Sequence, residues 1–127
     1  MEDENKTSTK YNMSSLSAPT MLTLIYAGKT HSIYKEDTPF LIGRDNKNCA
    51  LFVDTEFASR SHCKISYKDK VFFLEDCSRN GTYIQLGNAP HVKLTSNSIH
   101  LVGRGVFKLG YGIGEKDLDV IQFRLHF

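Results

Sequence analysis

Four short segments of this 127-residue chain carry side chains suited to holding an anion. They are Gly43-Arg44, Ser59-Arg60-Ser61-His62, Asp76-Cys77-Ser78-Arg79-Asn80-Gly81-Thr82 and Gly103-Arg104-Gly105. Arginine presents a planar fork of donors that can grip two oxygens of one phosphate. Serine hydroxyls and the N–H groups of tight turns add neutral donors. A phosphorylated side chain brings roughly −1.5 to −2 charges and three strong acceptor oxygens. Arg44, Arg60 and Arg79 with Ser59 would match that ligand, provided that their loops converge. Spacing alone does not bring them together.

The segments between these motifs must supply the scaffold. They read as eleven short strands: Met21–Ala27, His31–Tyr34, Phe40–Ile42, Leu51–Val53, Cys63–Tyr67, Val71–Leu74, Thr82–Ile84, Val92–Leu94, Ile99–Val102, Val106–Leu109 and Val120–Leu125. Cys63–Tyr67 alternates in the period of a half-buried strand. Lys68-Asp69-Lys70 and Asn80-Gly81 are turn signals. No window carries a helical stripe, because Pro39 and Gly43 interrupt the one candidate, Glu36–Asp45. Such a pattern predicts an all-β antiparallel sandwich or barrel. Phe72, Phe73, Phe107 and Phe123 are expected in its core or on its strand faces. Residues 1–19 are polar and rich in Ser and Thr, which predicts a flexible tail or linker. Residues 20–127 are expected to form one domain.

Bulk composition narrows the function classes. Formal net charge is +2, so a diffuse nucleic-acid or membrane footprint is not expected. Cys49, Cys63 and Cys77 are odd in number and lack a CxxC pair, which points to reduced thiols rather than a disulfide framework or a zinc site. His31, His91, His100 and His126 have no metal-ligand spacing, and no cofactor is expected. The opening MEDENKTSTK is unlike a secretory signal. The chain is expected to be soluble and intracellular. Ser59, His62 and Asp76 could be drawn on paper as a hydrolase triad. No GxSxG elbow surrounds Ser59, however, and HExxH and P-loop motifs are absent, so an enzyme is not expected.

Phe40-Leu41-Ile42-Gly43-Arg44, then Ala58-Ser59-Arg60-Ser61-His62, then Ser78-Arg79-Asn80-Gly81-Thr82-Tyr83-Ile84 resemble the signature of the forkhead-associated (FHA) family: GR, SxxH and SxNGT, in that order. The resemblance covers about residues 20–127. It implies an eleven-stranded antiparallel β-sandwich with binding loops at one end, and a module that binds phosphothreonine peptides of partner proteins for signalling or assembly. It implies that Arg44 and Ser59 contact the phosphate and that Arg60 assists. Asn80 would hold the peptide main chain, with Arg79 lining the same groove. Gly43, His62 and Gly81 would be architectural: His62 bracing the binding loop by hydrogen bonds, the glycines permitting tight turns. Phosphothreonine would be preferred to phosphoserine through a small pocket for its methyl, worth about 0.8 kcal/mol.

Gly103-Arg104 departs from the family's usual GD pair and is a candidate for added positive potential beside the peptide. Phe57, Ala58 and the Gly103–Gly105 loop are candidates for reading the residues that flank the phosphate. A phosphate-independent interaction or oligomerisation domain on the same fold is the alternative reading. Thr7, Thr9 and Thr20 raise a further expectation: self-association through a phosphorylated tail.

Overall fold

The computed structural model describes residues 18–114 and 119–127. Most of the tail expected over residues 1–19 lies outside the described residues. The described residues contain eleven strands, one for each predicted segment: β1 Met21–Tyr26, β2 Lys29–Ile33, β3 Phe40–Gly43, β4 Leu51–Phe52, β5 Cys63–Lys68, β6 Val71–Asp76, β7 Thr82–Leu86, β8 Val92–Leu94, β9 Ser98–His100, β10 Arg104–Leu109 and β11 Ile121–His126. A 3₁₀ turn, Lys35–Asp37, separates β2 from β3.

The strands form two sheets, ordered β2-β1-β11-β10-β7-β8 and β4-β3-β5-β6-β9. Alternation in the sequence becomes alternation in burial. Along β11 every second residue, Ile121, Phe123 and Leu125, is buried. The core between the sheets includes Leu22, Leu24, Ile33, Ile42, Ile65, Phe72, Leu74, Ile84, Phe107 and Leu109. Burying each such side chain contributes on the order of 1.5–3 kcal/mol before entropy is counted. Phe72, Phe107 and Phe123 are in this core, as expected. Phe73 instead lies on the outer side of β6, its ring 5.9 Å from that of His100.

One pairing departs from the antiparallel expectation. β3 and β4 are parallel, Ile42 opposite Leu51 and Gly43 opposite Phe52. The segment 44–50 therefore carries the chain back to the level of Ile42, where the Ala50 N–H donates to the Leu41 carbonyl at 2.8 Å. That reversal folds the Arg44 segment into a compact loop.

Antiparallel register then decides which loops meet. Ile42 pairs with Cys63, Cys63 with Asp76, and Thr82 with Leu109. The loops after β3, before β5, between β6 and β7, and after β10 consequently share one end of the sandwich. No helix among the described residues is long and apolar enough to cross a membrane.

Candidate functional site

Gly43 ends β3 with the β4–β5 loop lying directly against it. A Cβ at this position would come within 2.2 Å of the Arg60 carbonyl oxygen and 2.8 Å of the His62 nitrogen. Gly43 has no positive φ. Its absent side chain thus serves close approach, not the tight turn anticipated from sequence. The approach zips two loops together. Arg44 N–H donates to Ser59 O at 3.0 Å, Asp45 N–H donates to Arg60 O at 3.2 Å, and His62 N–H donates to Ile42 O at 3.0 Å. Cys49 Sγ also donates to Arg60 O, at 3.1 Å.

His62 is fully buried and its ring is bonded on both sides. The Ser59 backbone N–H donates to Nδ1 at 2.9 Å. A backbone N–H can only donate, so Nδ1 is unprotonated and Nε2 carries the hydrogen. Nε2 then donates to the Gly81 carbonyl at 2.8 Å. Burial pushes the imidazole pKa below its ordinary value, which favours this neutral tautomer. Gly81 adopts φ +91, a conformation glycine enters at little cost. Its carbonyl accepts a second hydrogen bond, from Gly110 N–H at 2.9 Å.

The β6–β7 turn is organised around the buried Asp76 carboxylate. Oδ1 accepts from Ser78 Oγ at 2.6 Å and Thr82 Oγ1 at 2.8 Å, and Oδ2 accepts from Ser96 N–H at 2.8 Å. Burial alone would raise the Asp76 pKa; these hydrogen bonds outweigh it, and the carboxyl titrates below its usual range. Ser78 Oγ in turn accepts the Gly81 N–H at 2.7 Å. The ring contacts of His62 go to backbone groups, so Ser59, His62 and Asp76 do not assemble as the triad drawn from sequence.

The turn so fixed presents Arg79 and Asn80 to the neighbouring loop. Arg79 N–H donates to Ser59 Oγ at 3.1 Å. That bond occupies an acceptor position of the hydroxyl and leaves its O–H hydrogen to be donated outward. Asn80 Nδ2 donates to the Phe57 carbonyl at 3.2 Å.

Arg44, Ser59, Arg60, Arg79 and Asn80 all line one open groove of ≈ 620 Å³. The five residues singled out for ligand contact are therefore brought together. Gly43, His62 and Gly81 lie behind them. Lys47 adds a fourth cation to the lining, which also includes the acidic Asp45 and Glu56. Arg60 Nη2 lies 3.3 Å from Asp45 Oδ2. The Asp45 carboxyl is held below its usual pKa, chiefly by the Asn48 side-chain hydrogen bond. Arg44 Nε stands 3.8 Å from Asp54 Oδ1 in a solvent-exposed pair, too weakly held to occupy the guanidinium.

Gly103-Arg104-Gly105 is not part of this groove. Arg104 opens β10 at its far end, five positions before Leu109, or roughly 17 Å along the strand. Its proposed effect beside a peptide is thereby corrected. Thr20 is also at the far end, donating to His126 O through its backbone N–H at 2.8 Å. Of the flanking candidates, Ala58 lines the groove and Phe57 lies beside it.

The residues that sequence reasoning missed come from the end of β10 and the loop after it. The Tyr111 ring packs on Phe57 with centroids 4.7 Å apart, and Lys108 Nζ lies 3.8 Å from the Tyr111 centroid. Gly110, at φ +88, has no room for a Cβ, which would meet Phe57 O at 2.2 Å. The two glycines of Gly110-Tyr111-Gly112 are a turn signal that could have marked this segment, but only the β7–β10 register brings it to the groove.

The FHA-domain family model matches residues 40–104. No curated protein sequence matches the chain. Among solved structures, the fold is similar to the first FHA domain of Mycobacterium tuberculosis Rv1747, at 20% identity and TM-score 0.64, covering 87% of this chain and 100% of that one. An FHA domain from work on phosphothreonine-dependent FHA interactions is 27% identical, with TM-score 0.62 and coverage of 84% and 98%. The MEK1 FHA domain in complex with a HOP1 phosphothreonine peptide is 24% identical, with TM-score 0.62 and coverage of 82% and 95%.

Proposed function

The chain belongs to the FHA-domain family, and we propose that its groove binds a phosphothreonine-containing segment of a partner protein, for signalling or assembly. The observation that carries this reading is the hydrogen bond from Arg79 N–H to Ser59 Oγ. It turns the serine into a directed donor at the centre of an arginine-lined groove. Arg44 and Ser59 contact the phosphate, Arg60 assists, Arg79 adds positive potential, and Asn80 positions the peptide backbone. Gly43, His62 and Gly81 hold the loops.

This is a binding role and not catalysis, since the buried His62 ring is committed to backbone partners. On this reading the module spans residues 20–127, after a tail or linker over residues 1–19 that lies mostly outside the described residues. The free thiols Cys49, Cys63 and Cys77 suit a reducing intracellular compartment. A phosphorylated threonine of the tail is a second source of ligand. Thr20 lies at the end remote from the groove, so it would have to reach the groove of another copy.

An oriented library of phosphothreonine, phosphoserine and unphosphorylated peptides tests the reading. Selection of phosphothreonine, lost in Arg44→Ala and in Ser59→Ala, is the expected result. Equal binding of phosphorylated and unphosphorylated peptides would instead favour a phosphate-independent interaction domain.

A further inference from the structure

None of the six strands in the larger sheet contains an Asp or Glu. On its outer face Arg104 of β10 stands opposite Arg124 of β11, and Arg124 is also opposite Thr23 of β1. Leu125 N–H donates to Gly103 O at 2.8 Å, which makes Gly103 and Leu125 a hydrogen-bonded pair. The next pair, Arg104 and Arg124, is consequently of the non-hydrogen-bonded kind, whose side chains lie closest, with Cα atoms about 4.5 Å apart. Both side chains are exposed, and among the described residues neither guanidinium meets a carboxylate.

Like charges directly opposite across a ladder are destabilising. Among the described residues this repulsion has no counterion. The two arginines border a cavity of ≈ 310 Å³ whose lining also includes Thr23, Asn88 and Gln122 and has no acidic residue. Polar donors of both charged and neutral kinds therefore surround one small space.

We propose that this cavity is a second anion site, for a phosphate monoester, separate from the groove. A carboxylate needs only one guanidinium fork. A monoester dianion carries three acceptor oxygens and nearly two charges, which two forks can share. A phosphodiester has one charge and two free oxygens and leaves one fork unsatisfied. The site is on the outer sheet face at the end opposite the phosphothreonine groove. Both sites can therefore be occupied at once.

The test uses the full chain carrying Arg44→Ala and Ser59→Ala, which silences the groove. Inorganic phosphate, glycerol 3-phosphate, a phosphoserine peptide and dimethyl phosphate are titrated while amide and arginine Nε–H resonances are followed. Expected are saturable shifts at Arg104, Arg124 and Gln122 with the monoesters. Adding Arg104→Gln or Arg124→Gln weakens them at least about tenfold, the loss of one charge-assisted contact. In phosphate-free, low-salt buffer either Gln variant raises Tm by relieving repulsion. Tighter binding of the peptide assigns the site to a phosphoprotein, and tighter binding of glycerol 3-phosphate or phosphate assigns it to a small phosphate. Shifts that rise without saturation, that are equal with dimethyl phosphate, or that survive both Gln substitutions overturn the proposal.

Discussion

His62 Nε2 donates to the Gly81 carbonyl at 2.8 Å, joining the loop that carries Ser59 to the turn that carries Asn80. The same carbonyl accepts the Gly110 N–H, so one oxygen ties three loops together. The site is organised from beneath by a neutral, buried imidazole. Its groove residues owe their places to a bond that none of them makes.

Removing that bond should cost stability and affinity together. His62→Ala leaves Ser59 N–H and Gly81 O each short of a partner, at roughly 2–4 kcal/mol in total. Urea unfolding and a phosphopeptide titration check this. A variant with unchanged stability that loses binding would place His62 in contact with the ligand instead.

The same residue sets a pH dependence. An unfolded-chain imidazole titrates near about 6.5, and burial lowers the folded value below that. Neutral His62 thus contributes stability fully above the unfolded pKa. The contribution is lost as pH falls from there through the folded value. Unfolding of the native chain and of His62→Gln should be compared from pH 7.5 to 5. The stability gap should narrow toward acid; a gap independent of pH contradicts the assignment.

Gly43 and Gly87 make a matched comparison. Gly43→Ala would drive a Cβ to 2.2 Å of Arg60 O, whereas Gly87→Ala meets nothing within 4 Å. Gly87, at φ +54, should cost only the left-handed conformational penalty, about 1–2 kcal/mol, with peptide affinity intact. Gly43→Ala should separate the Arg44 and Ser59 loops and abolish binding. Isothermal titration and thermal unfolding of both variants would show whether affinity follows loop spacing.

Asp76 should matter without touching ligand. In Asp76→Asn one carboxylate oxygen becomes an NH₂ group facing existing donors, costing roughly 2–4 kcal/mol. The folded carboxyl titrates below its usual range. Its contribution is therefore present above the unfolded pKa, near about 3.9, and fades as pH falls through the folded value. An acid titration of stability, native against Asp76→Asn, should show the native chain losing its advantage below that range.

Direct contacts should behave differently. Arg44→Ala should leave the urea midpoint nearly unchanged, because its side chain is exposed and its ion pair loose. Phosphopeptide affinity should fall by about tenfold or more. Raising salt should narrow the gap between native and variant. Retained affinity would remove Arg44 from the phosphate-contact set.

Much of this was legible in the chain itself. Alternation at Cys63–Tyr67 and short apolar runs such as Phe40–Ile42 marked all eleven strands, because strand burial repeats every second residue. The ordered Gly43-Arg44, Ser59–His62 and Asn80-Gly81 segments marked the site. Harder to read were features that join distant segments. Gly43 looked like a turn glycine until the Arg60 backbone was seen against its Cα. Arg104 looked like a fourth groove cation, although register carries it to the other end.

The sequence by itself determined the eleven strands, the basic loop segments and the family resemblance, since those depend on near neighbours along the chain. Only the tertiary structure decided that β4 runs parallel to β3, that Tyr111 joins Phe57 beside the groove, and that Arg104 meets Arg124 instead of the peptide site. Strand partners and register are chosen by long-range packing of two sheets around one core, and local pattern does not specify which edges meet.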